Sequence, residues 1–185
     1  MTIANAEIYR LLMNLIRVGT VISVDYVQYV ARVKVGKNET DWIRWGTPRA
    51  GDAQTWWAPS VGEQVVIMSP GGDLENAFIA YSLYSNDALP PDTSQTSHVI
   101  AYPDGAKDSY DPASGMKRTE GIKNALLQAS GTATLNLARL IINAEVVING
   151  EVVQGGGPMS SNGIVVDSHR HQGVQSGSAT SGGPV

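Results

Sequence analysis

Between Leu135 and Val153 the chain alternates with a period of two, and few folds satisfy what that alternation demands. Leu140, Ile142, Ala144, Val146, Ile148, Gly150 and Val152 share one parity, while Ile141, Asn143, Glu145, Val147, Asn149, Glu151 and Val153 share the other. Side chains of a strand point alternately to opposite faces, so the even set makes a face that is wholly apolar or small and the odd set a mostly polar one. Leu135 and Leu137 fall on the other parity, which predicts a corner or bulge between Leu137 and Leu140. The remaining chain offers too little apolar surface to cover such a face from within one copy. Copies wound around an axis would each lend the even face to a shared core, as an intertwined β-prism. Gly150 and Gly155 to Gly157 then stand where the backbone turns sharply or nears the axis.

Composition agrees with burial against other chains. Charged residues make up only 16% of the 185, against about 25% for an average soluble domain. The deficit is local: from Asn124 to Val166 the only charges are Arg139, Glu145 and Glu151. A monomer rarely leaves so long a segment this uncharged. With no cysteine there is neither a disulfide framework nor a thiolate metal site. No apolar run approaches the roughly 20 residues of a membrane span, and the N-terminal segment lacks the basic region and cleavage pattern of a signal peptide. The expectation is a soluble product of the cytoplasm. A net charge of −4 without a lysine or arginine stripe argues against a nucleic-acid footprint.

Upstream, Ile3, Ile8, Leu11, Leu12, Leu15 and Ile16 recur near a 3.6-residue spacing, predicting a helix over 3–17 with Gly19 just beyond it. Such a helix packs on its own domain or docks a neighbouring subunit. From Val18 the period becomes two. Strands are expected over 18–26 and 27–36, the latter with Tyr29, Ala31, Val33 and Val35 on one face, then over 41–45, 62–69 and 77–83. Five short strands with Gly/Pro punctuation predict a small OB-fold barrel over 18–89. Trp42, Trp45, Trp56 and Trp57 all lie there. Aromatics on such a barrel can stack bases, so an OB-fold nucleic-acid-binding module is the alternative reading. Seven Lys/Arg against nine Asp/Glu in residues 1–89 weigh against it, and core or interface packing is the stronger account of the tryptophans. Pro90-Pro91 and the surrounding polar residues mark a linker over 90–101, and Asp104-Gly105 suits a tight hairpin at the start of a shaft over 102–166.

The last segment, 167–185, carries the chemistry. In Ser168-His169-Arg170-His171 an extended strand puts His169 and His171 on one face and Arg170 on the other. Spacing alone is weak, since two histidines on a surface strand need hold nothing. The pair follows an apolar strand whose composition favours self-association, and the flanking glycines let chains converge. His98 is the only other histidine, so the missing ligands most simply come from further copies. Under threefold symmetry two imidazoles per chain give six. Zinc prefers four tetrahedral ligands, so a six-imidazole cage suits octahedral iron(II), nickel or cobalt, of which iron is the most available in a cell. A saturated site leaves no position for water or substrate and is structural rather than catalytic. A zinc-dependent hydrolase or deaminase built on the same histidines would need a third ligand and an open position. No Ser/His/Asp constellation or phosphate-cradling glycine loop supports an enzyme. The Gly/Ser/Thr-rich tail after Gln172 either stays flexible or wraps the metal site.

Pro59-Ser60-Val61-Gly62-Glu63-Gln64-Val65-Val66-Ile67, followed by Ser69-Pro70-Gly71-Gly72-Asp73-Leu74, resembles the OB-domain signature of the baseplate assembly protein V, or central tail spike, family of contractile-tailed phages. Tyr102-Pro103-Asp104-Gly105 and Tyr110-Asp111-Pro112 are similar to that family's next segment, and Ser168-His169-Arg170-His171 with Gly182-Gly183-Pro184 to its tip. The resemblance implies an all-β chain with a short N-terminal helix: an OB-fold collar, then an intertwined trimeric β-helix spike with a metal-bound apex. It further implies a homotrimer seated on the tail hub of the virion baseplate, one iron per trimer at His169 and His171, and a spike driven into the host outer membrane when the sheath contracts. No enzyme activity and no nucleic-acid partner are implied.

Overall fold

In the computed structural model the described residues are 3–170, Gly173 and Gly177. They fall into two units, 1–127 and 128–185, and no helix among them is long and apolar enough to cross a membrane.

The first unit opens with helix α1 (Ile3–Asn14) and continues into β1 (Ile16–Asp25), β2 (Val30–Val35), β3 (Asn38–Glu39), β4 (Ile43–Trp45), β5 (Gln64–Met68) and β6 (Phe78–Leu83). The strands run in the order β1-β5-β6-β4-β2, and β1 also pairs with β2, which closes a five-stranded barrel; β3 extends β2. All pairings are antiparallel except the parallel β4–β6 contact. This is the connectivity of an OB-fold. The alternation that predicted it fills the interior. Val21, Ala31, Val33, Val35, Ile43, Val65, Ile67 and Ile79 form one buried cluster. Their out-of-phase neighbours Thr20, Lys34 and Met68 are exposed. An extra residue in the register, Ile22 in β1 against β2 and Ala80 in β6 against β5, bends these strands around the barrel.

Two expectations for this region are corrected. The helix stops at Asn14 rather than Arg17, because Ile16 and Arg17 already pair with Met68 and Ile67 of β5. Tyr29 does not share the face of Ala31: it sits at the end of the β1–β2 turn with φ 47° and is exposed. Asp25 fixes that turn, its Oδ1 accepting from the backbone N–H of Val27 and of Gln28 at 2.9 Å each.

After the barrel, β7 (His98–Ala101), β8 (Lys107–Asp111) and β9 (Met116–Glu120) form an antiparallel meander. The Asp-Gly hairpin joins β7 to β8: Gly105 has φ 90° and donates its N–H to Tyr102 O at 3.0 Å, while Tyr102 N–H donates to Ala106 O at 2.8 Å. Residues 98–101, at the end of the stretch expected as linker, are thus a strand. The polar residues before them are tied down, with Thr96 Oγ1 donating to Asp111 Oδ1 at 2.8 Å and Ser97 Oγ donating to Asp92.

In the second unit the regular elements among the described residues are β10 (Ser160–Ser161) and β11 (Ile164–Val165), an antiparallel hairpin. Asn162 and Gly163 form its turn with φ 49° and 80°, the two positive values that a type I′ turn needs and that Asn-Gly supplies.

Candidate shaft and metal-binding apex

No strand is assigned between Glu120 and Ser160 among the described residues, and every residue from 112 to 164 is exposed. The even face is open: Ile142 is 56% exposed, Val146 53% and Ile148 59%. Between residues 132 and 156 the backbone bends at Ala138, Ala144, Gly150 and Gly156, each six residues after the last. The bend at Ala138 lies between Leu137 and Leu140, where the change of parity predicted a corner.

The same interval is written in the side chains. Ala138-Arg139-Leu140-Ile141-Ile142-Asn143 is followed by Ala144-Glu145-Val146-Val147-Ile148-Asn149 and by Gly150-Glu151-Val152-Val153. A small residue stands at each bend, a charge follows it, two apolar residues occupy even positions in the first two steps, and asparagine closes each of those. Reading the alternation alone misses this repeat, because six is a multiple of two and both periods fit the same residues.

At the apex, β11 ends at Val165 and a turn occupies 166–168 before His169. Val166 N–H donates to Met159 O at 2.8 Å and Ser168 N–H to Val165 O at 3.4 Å. This turn positions the imidazole, whose Nδ1 lies 2.7 Å from the Val166 carbonyl oxygen. A carbonyl only accepts, so Nδ1 is the donor of this contact. His169 is exposed. His171 lies outside the described residues, as does most of the Gly/Ser/Thr-rich tail. Among the described residues no three His, Asp or Glu side chains gather within one chain. His98 stands in β7 opposite Tyr110, on an exposed position of the meander.

The tryptophans divide. Trp45 is half-buried against the barrel core, and Trp56 meets it edge-on with ring centroids 5.6 Å apart. Trp57 stacks on Tyr102 at 6.3 Å with an interplanar angle of 8°. Trp42, Trp56 and Trp57 are each close to half exposed or more, so core packing accounts for Trp45 alone.

Comparison with known proteins follows the same division of the chain. Residues 17–84 match the type VI secretion system/phage-baseplate injector OB domain, the segment that closes into the barrel. Residues 163–185 match the GpV apex motif, which begins at the Asn-Gly turn and takes in both apical histidines. Over 211 aligned positions the chain is 37% identical to the spike protein of Escherichia phage P2, with 100% of this chain and 99% of that protein covered. An OB barrel, an apex motif and a likeness that runs the full length together place the chain in the phage baseplate spike family, a family of structural virion proteins.

Proposed function

We propose that the chain is the central spike of a contractile tail, a homotrimeric needle that pierces the host outer membrane when the sheath contracts. Residues 18–89 form the collar on the tail hub, with helix α1 before it and a linker from residue 90 up to strand β7 after it. Residues 102–166 form an intertwined β-helical shaft and 167–185 the apex. His169 and His171 of three copies supply six imidazole nitrogens to one iron ion, which ties the chains together where apolar core is thinnest. The work is mechanical. A shaft of shared strands resists axial load because sliding one chain breaks ladder hydrogen bonds and core contacts together, and a pointed apex without free strand edges neither frays nor pairs adventitiously.

The observation that carries this reading is the shaft segment: apolar on one face, nearly free of charge, exposed along its length in a single chain, and bent at regular intervals. An isolated chain would leave that apolar face in water, whereas three wound copies bury it. Light scattering on purified protein, joined to metal analysis, tests the reading. The expected particle has three times the 19.6 kDa of one chain and holds one iron per three chains. A particle of 19.6 kDa would overturn it.

A further inference from the structure

The six-residue repeat of bends bears on how copies would meet in the proposed shaft. In a wound prism each bend carries a chain to the next face, so the strand lying beside it in the ladder belongs to another copy, one step behind in sequence. We propose that neighbouring copies stack with an offset of six residues, so that residue i + 6 of one copy lies beside residue i of the next. This rests on the three-copy shaft and specifies its register. Asn149 then meets Asn143 of the next copy, Val146 meets Leu140, and Ile148 meets Ile142.

Three observations select this offset. An odd offset would bring the apolar even set beside the polar odd set. An offset of two or four would place the bends at Ala138, Ala144 and Gly150 beside straight backbone. An offset of zero keeps the bends aligned but stacks Arg139 on Arg139, Glu145 on Glu145 and Glu151 on Glu151. An offset of six puts Glu145 beside Arg139 instead and leaves one like-charge step, Glu151 on Glu145, where an offset of zero leaves three on the same water-facing side. It also stacks asparagine on asparagine, whose amides can donate and accept along the axis as a ladder. The partner is therefore a second copy of this chain, recognised by parity, bend position and the Arg139–Glu145 charge pair at once.

The chain has no cysteine, which makes the offset directly readable. Adjacent strands lie about 4.8 Å apart, within the range a disulfide bridges. In the full-length protein carrying Asn143→Cys and Asn149→Cys, mild oxidation should yield a covalently closed three-chain species on a non-reducing denaturing gel. Each single variant should remain one chain. Arg139→Cys with Glu145→Cys gives a second, water-facing pair with the same expected outcome, should the first perturb assembly. A particle that keeps three chains by light scattering but cross-links in neither pair, or that cross-links as Asn143→Cys alone, overturns the offset and leaves the three-copy shaft standing. A single-chain particle for the unsubstituted protein overturns both.

Discussion

Gly72 lies so close to α1 that a Cβ built on it would stand 2.3 Å from the carbonyl oxygen of Leu11. Its φ of +75° belongs to the region that only glycine adopts without strain. The glycine thus does two things: it turns the chain after β5 and lets the helix backbone rest on that turn. Ser69 N–H donates to Leu15 O at 2.9 Å beside it and ties the helix exit to the same place. Gly72→Ala is expected to cost about 2 kcal/mol or more, from backbone strain and steric overlap together. Hydrogen exchange should show α1 losing protection before β5 and β6. Unchanged protection over residues 3–14 would mean that the helix is held from elsewhere.

Gly19 makes the corresponding close approach inside the barrel. A Cβ there would meet Val33 Cγ1 at 2.5 Å, the Lys34 carbonyl oxygen at 2.6 Å and Val35 Cγ2 at 2.9 Å. Neither a backbone oxygen in a ladder nor two packed valines can withdraw cheaply. Gly19→Ala should therefore lower the melting temperature by several degrees, an overpacking cost of about 1–3 kcal/mol. Gly51→Ala meets nothing within 4 Å and has no positive φ, so it should leave the melt unchanged. Equal effects from the two would remove the packing explanation.

Acid should loosen the meander before the barrel. The Asp92 carboxyl is held below the usual carboxylate range by the Ser97 hydroxyl, then by the backbone N–H groups of Ser94 and Thr93. Lys117 does the same for Asp108, with help from Thr119. The Thr96 hydroxyl and Ala113 N–H do it for Asp111. A carboxyl lowered in the folded state stabilises that state fully above its unfolded value of about 3.9, and the contribution fades as pH falls through the lower folded value. All three groups are exposed, so each effect is small. Between about pH 5 and pH 2.5 amide exchange should rise over 93–97 and 107–120, while 64–68, around the wholly apolar positions Val65 and Ile67, should change little. A uniform rise across both regions would point to global unfolding instead.

The barrel was legible because two local signals, period-two alternation and Gly/Pro punctuation, agree with its tertiary pairing. Its edges were not. Where α1 yields to β1 is decided by Ile16 and Arg17 pairing with residues about fifty positions later, and helical spacing cannot see that far. Tyr29 continues the apolar alternation of β2, but the Asp25 carboxylate closes the turn around it. Strand β7 was hidden behind Pro90-Pro91 because its partner, β8, is reached only after the Asp-Gly turn. In the shaft the alternation marks the apolar face but not the six-residue repeat, because both periods fit the same residues. At the apex the strand was expected to run on through His169, whereas a turn at 166–168 intervenes and supplies, at Val166, the carbonyl that orients the ring. No local propensity announces a carbonyl placed by a turn.

That turn makes the role of the apical histidines testable apart from assembly. In the proposed trimer the apolar face of the shaft would bury most of the shared surface, and His169 would add an imidazole whose Nδ1 contacts Val166 O. Removing both rings by His169→Ala with His171→Ala should abolish bound metal while light scattering still reports three chains. The loss should fall on the tip, as faster exchange over 160–170 and easier proteolysis of the last residues, with the barrel melt unchanged. His169→Gln keeps bulk and polarity but offers no imidazole nitrogen, and should lose metal to the same extent. Metal retained at one ion per three chains in the double variant, measured by inductively coupled plasma analysis, would show that other groups hold it. Collapse to single chains would show instead that the apex, and not the apolar shaft, holds the copies together.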